Sequence, residues 1–95
     1  MEALQDESWL IRSQSVSCKE ILDEALILHH STGDYYTLNP TGTLIWNYCS
    51  EARRFSDILN SVSYEFGVQK ESVENEIRDY ISELLKEGLL EAKKP

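Results

Sequence analysis

The chain reads as an α+β fold in which three N-terminal antiparallel strands lead into three helices, and three observations predict it. Apolar and polar side chains alternate from Val16 to Lys19, and a second apolar segment, Ala25 to His30, ends at the turn residues Ser31-Thr32-Gly33-Asp34. The strand-like run Tyr35-Tyr36-Thr37-Leu38 changes within one residue into Asn39-Pro40, a helix start. A long amphipathic stretch from Lys70 to Glu87 closes on Gly88.

Taken in order, residues 1–12 are polar and charged apart from Leu4 and Trp9-Leu10-Ile11, a cluster too short to build a core alone. They read as a flexible arm that docks by Trp9, ahead of a single domain over residues 13–92. The first strand starts at Ser15, with Val16 and Cys18 on one face and Ser17 and Lys19 on the other. Leu22-Asp23-Glu24 is a turn, Ala25 to His30 the second strand, and Tyr35 to Leu38 the third, joined to the second as a hairpin by the turn at Gly33. Asn39 caps the first helix, about Pro40 to Cys49. There Leu44, Ile45 and Tyr48 form the apolar stripe and Trp46 lies at its margin. After the polar connection Ser50 to Arg54, a second helix covers about Ser56 to Glu65, with Phe55, Ile58, Leu59 and Val62 inward and Gly67 as its stop. The third helix ends at Gly88, and Leu89-Leu90 folds back as a short extended segment.

Composition narrows the function. A chain of 95 residues has room for one domain, and at this size only roughly 60 to 65 % of the unfolded surface is buried, which favours shallow grooves over deep enclosed sites. With 17 acidic and 9 basic side chains the net charge is -8, so nucleic-acid phosphates and anionic membrane surfaces are repelled. No spanning apolar run or secretory signal is present in the sequence, and a cytoplasmic location is expected. Cys18 and Cys49 are expected as reduced core fillers, and two cysteines with two histidines at these spacings do not make a zinc site. No cofactor is implied. His29 and His30 are adjacent in a strand and point to opposite faces, so they form neither a metal pair nor a relay. Cys49 has no base beside it in its helix, and an enzyme is not expected.

The binding residues are expected on one strand and one helix. At about 100° per residue, Val73, Ile77, Tyr80 and Leu84 share an arc of roughly 60°, the core face of the third helix. Ile81 and Leu85 widen it on one side, where Glu74 and Arg78 also lie; this flank is expected to line a groove between helix and sheet edge. The strand Tyr35 to Leu38 carries aromatic mass on both faces, and a short sheet in a small domain leaves an edge that invites an added strand.

These residues carry a resemblance. Tyr35-Tyr36-Thr37-Leu38-Asn39 with Thr41-Gly42 and Ile45-Trp46, then Phe55-Ser56-Asp57-Ile58-Leu59, Phe66-Gly67-Val68, and Ile81 through Leu84 to Gly88-Leu89-Leu90, resemble the PqqD-like proteins, over about Val16 to Leu90. These are the recognition elements of ribosomally made, post-translationally modified peptide (RiPP) pathways. The resemblance implies a winged helix-turn-helix-like module whose third strand is extended by a precursor's leader peptide, lying in a groove formed with the third helix. Carried onto this sequence, the peptide-binding residues are Tyr35, Tyr36, Thr37 and Leu38 with Glu74, Ile77, Arg78, Ile81 and Leu85. The implied partners are a precursor leader peptide and a separate enzyme. That enzyme is either the leader peptidase of a lasso-peptide system, favoured by the acidic chain and its N-terminal arm, or the radical SAM enzyme of a quinone-cofactor pathway. The sequence departs from the family pattern at Gln69, a weak cap for the third helix, and at Arg53-Arg54, which lengthens the preceding loop.

Two other functions are compatible with a fold of this kind. Winged helices often place the third helix in a DNA groove, but here that helix sets Glu71, Glu74, Glu76, Asp79, Glu83 and Glu87 against Lys70, Arg78 and Lys86. An interaction adaptor outside peptide modification fits the same composition. Arg53 and Arg54 read as solvated.

Overall fold

The computed structural model describes Leu4 and residues 7–93. The elements are β1 (Trp9–Arg12), β2 (Val16–Ile21), β3 (Glu24–His29), β4 (Tyr35–Leu38), α1 (Pro40–Tyr48), β5 (Arg53–Arg54), α2 (Phe55–Phe66), α3 (Lys70–Lys86) and β6 (Leu90–Lys93). The three strands expected before the helices are β2, β3 and β4, in that order across one antiparallel sheet. The three helices follow as expected. Asn39 caps α1 by accepting from the Gly42 N–H at 2.8 Å, with Pro40 behind it, and Gly67 ends α2 with φ 64, a conformation that glycine adopts without a Cβ clash.

A second sheet, ordered β5-β1-β6, was not foreseen. Residues 9–12 are therefore not a flexible arm. Leu10 is 0 % exposed, Trp9 pairs with Arg54 and Lys93, and Leu10 pairs with Arg53 and Ala92. The folded body begins before residue 13; residues 1–3, 5 and 6 lie outside the described residues. Arg12 fixes the strand to the end of α1. Its backbone N–H bonds the Cys49 carbonyl at 3.0 Å, its Nε donates to the Trp46 carbonyl at 2.9 Å, and its guanidinium lies 4.7 Å from the Trp46 ring centroid. A cation there also meets the negative end of the helix dipole. This cover explains why Trp46, expected at the margin, is core at 1 % exposure.

The core joins both sheets to the helices through Leu10, Ile27, Ile45, Phe55, Ile58 and Ile81. One polar side chain within it secures the inner end of β4. Thr43 of α1 is buried, accepts from the Ala25 N–H at 2.9 Å and donates to the Leu38 carbonyl at 3.2 Å. Its hydroxyl bridges the last rung between β3 and β4, where Ala25 and Leu38 stand opposite. Thr43→Val keeps the shape but orphans both backbone groups. Urea unfolding is expected to show a loss of about 1–3 kcal/mol with an unchanged m value.

Candidate functional site

Among the described residues β4 is an edge strand, paired on one side only, with β3. Which of its backbone groups face outward follows from the register. The His29 N–H bonds the Asp34 carbonyl at 2.9 Å, and antiparallel ladders alternate, so Tyr36 and Leu38 direct their backbone toward β3 while Tyr35 and Thr37 direct theirs away. Two N–H and two C=O groups are thereby presented to an incoming chain. Side chains alternate the other way. Leu38 is buried and Tyr36 half-buried on the helix side, and Tyr35 and Thr37 are exposed.

α3 runs antiparallel to β4 across this inner face. The Tyr80 hydroxyl donates to Asn39 Oδ1 at 3.4 Å beyond one end of the strand, and the Tyr36 hydroxyl donates to Glu87 Oε2 at 3.0 Å near the other. Between them lies a cleft of about 260 Å³ lined by Tyr36, Thr37 and Leu38 from β4, Tyr80, Glu83, Leu84 and Glu87 from α3 and its cap, and Leu89. Gly42 sets the depth of one end: a Cβ there would collide with the Tyr80 hydroxyl, so only glycine lets that ring lie against α1. Burial pushes the Tyr80 phenol pKa up, and the hydrogen bond to Glu87, followed by desolvation and the charges of Glu87 and Asp34, pushes Tyr36 up. Both phenols are neutral donors at neutral pH. A wider depression of about 500 Å³ lies by the β2–β3 turn, walled partly by Leu22, which is 92 % exposed. Its wall is a turn side chain in water, whereas the cleft has a strand on one side and a helix on the other.

The residues expected on α3 are placed elsewhere. Ile81 is 0 % exposed and Ile77 is buried, both in the core. Arg78 stacks 4.5 Å from the Phe55 ring centroid, bonds Glu74 at 2.9 Å and donates to the Leu4 carbonyl. Leu85 packs half-buried against the core. On this flank Arg78 meets α2 and the N-terminal segment and Ile81 is in the core, and none of Glu74, Arg78, Ile81 and Leu85, nor Ile77, lines the cleft. On the helical wheel the cleft side centres roughly 140° away. The sequence reading assigns Tyr80 and Leu84 to the core and leaves out Glu83 and Glu87; the available signal was that Glu83 and Glu87 lie on the other side of the apolar arc, next to Tyr80 at its edge, with Leu84 inside the arc. On β4, Tyr36, Thr37 and Leu38 line the cleft, and Tyr35 contributes backbone.

The Cys49 thiol is buried and pushed up to about 12, mainly by desolvation, despite Arg12 and Arg53 nearby. Among the described residues no group of three or more His, Cys, Asp or Glu side chains could hold a metal ion, and no helix is long and apolar enough to cross a membrane.

Residues 24–90 match the family model of PqqD, described as coenzyme PQQ synthesis protein D, a span that takes in β3, β4 and all three helices. The chain is also similar to the solved structure of TbiB1 in complex with the TbiA(beta) leader peptide, with 32% sequence identity and a TM-score of 0.80 over 90% of this chain and 99% of that one. No curated protein matches the chain.

Proposed function

The chain belongs to the PqqD family, and from that membership we propose that it binds the leader segment of a ribosomally made precursor peptide and presents it to a separate processing enzyme. The observation that carries this reading is the open edge of β4 standing over a cleft walled by α3. The leader adds as a strand to the outward backbone of Tyr35 and Thr37, and its alternate side chains enter the cleft beside Tyr36 and Leu38. Glu74, Ile77, Arg78, Ile81 and Leu85 serve by holding α3 in place rather than by touching the peptide. A few backbone hydrogen bonds at about 1 kcal/mol each, with one or two apolar anchors at about 1.5–3 kcal/mol each, are enough for micromolar binding after ordering costs. The protein itself is an adaptor without catalysis, acting in the cytoplasm where precursors are made.

The enzyme served is, in this reading, a leader peptidase of a lasso-peptide system. Support comes from the similarity to TbiB1, whose solved structure holds a leader peptide, and from the strongly acidic charge. One observation favours a second reading, delivery of a precursor to a radical SAM enzyme of quinone-cofactor biosynthesis: the matching family model is described by PQQ synthesis. Fluorescence anisotropy with labelled leaders from precursors encoded beside this gene tests the proposal. A micromolar or tighter Kd for one of them is expected, and the enzyme whose turnover on that precursor rises when the protein is added decides between the two readings. An intact fold that binds no cognate leader would overturn both.

A further inference from the structure

The cleft has an apolar floor and an acidic rim. Leu38 and Leu84 are buried in it and Tyr80 half-buried, whereas Glu83 and Glu87, one turn apart toward the close of α3, are exposed along its rim, with Glu87 beside Tyr36. Both glutamates are exposed, and among the described residues neither is in an ion pair. They sit where the helix dipole is negative, a position that favours cations, and Lys86 is the sole base in that last turn. Asp34 adds to the same field, for its charge and that of Glu87 both push the Tyr36 phenol upward.

A strand added to β4 repeats its side chains on one face every second residue, about 6.6–6.8 Å apart, which is the spacing of Tyr36 and Leu38. One inward side chain therefore falls beside Leu38 and Tyr80, and the next beside Tyr36 and Glu87. Resting on the peptide-binding reading above, we infer that the cleft selects an extended peptide in which a lysine or arginine lies two residues from an apolar anchor, with Glu83 and Glu87 receiving the basic side chain. The bound cation replaces the Tyr36 hydroxyl as partner of Glu87 and relieves the repulsion between neighbouring carboxylates.

The experiment selects a displayed library of random 12-residue peptides on the full chain and on a Glu83→Gln/Glu87→Gln double variant, followed by anisotropy with synthetic versions of the enriched sequences. On the unsubstituted chain, Lys or Arg is expected two positions from an aliphatic or aromatic residue. Replacing that base by alanine should weaken binding about five- to tenfold on the unsubstituted chain and less than twofold on the double variant, with the difference shrinking in high salt. Both glutamates are exposed, so the double variant folds. Enriched peptides that need the β4 edge but show no basic preference overturn this inference and leave the peptide-binding reading standing. A selection that recovers no peptide dependent on that edge overturns both.

Discussion

Replacing Thr37 by proline is expected to remove leader binding while leaving the protein folded. Thr37 lies opposite Leu26 in a pair whose backbone groups do not face each other, so its N–H points off the sheet and no internal hydrogen bond is lost. Edge strands tolerate proline at such positions, and the residue before it, Tyr36, is already extended, as proline requires. An incoming strand loses one donor, leaves its own carbonyl unpaired and meets the pyrrolidine ring in the pairing plane. The combined penalty is about 3 kcal/mol, on the order of a hundredfold in Kd. Anisotropy with the cognate leader reads the loss, and circular dichroism with thermal unfolding checks that the midpoint moves little. Thr37→Ala serves as the companion variant: it keeps the N–H and should bind within about threefold of the parent, because the exposed Thr37 side chain makes no backbone pairing. Equal binding by the proline variant would mean that the peptide does not add as a strand to β4.

What the sequence disclosed, and what it hid, separates by range along the chain. The Asn39-Pro40 cap, the Gly67 stop and the hairpin into β4 depend on residues a few positions apart, and each stands where local chemistry put it. The strand wall of the cleft was legible for the same reason. The helix wall was not. A wheel for α3 shows an apolar arc with two flanks, and which flank meets β4 depends on where α2 and the N-terminal segment dock. Phe55 and the Leu4 carbonyl take the flank carrying Arg78, which turns Tyr80, Glu83 and Glu87 toward the strand. The second sheet was hidden in the same way. β5 has only two residues, and β1 reaches β6 across almost the whole chain, so neither shows a period of its own. Ile81 illustrates the cost of arguing from a flank alone: it was expected in the groove and is 0 % exposed.

Leu10→Ala is the strongest expected stability change among these sites, and it falls in the segment that local pattern marks as an arm. Leu10 is 0 % exposed on the central strand of the second sheet, opposite Arg53 on one side and Ala92 on the other. Truncating a leucine so enclosed costs about 2.7–5 kcal/mol from lost transfer energy and the cavity left behind. Against a usual stability of about 5–15 kcal/mol for a small domain, that is about a fifth of the total at the least. For a domain of this size the melting midpoint should fall by roughly 12–24 °C if the loss is about 3 kcal/mol. A flexible arm would instead give a change within about 0.5 kcal/mol. The effect should also spread unevenly. β6 follows Leu89, the residue at the floor of the cleft, and is held to the body through its pairing with β1. Hydrogen exchange in the variant should therefore accelerate first at the amides of β6 and later at those of β3 and β4, whose ladder and Thr43 bridge do not involve Leu10. Leader binding, measured well below the lowered midpoint, should weaken less than in Thr37→Pro, since the β4 edge remains open and in register.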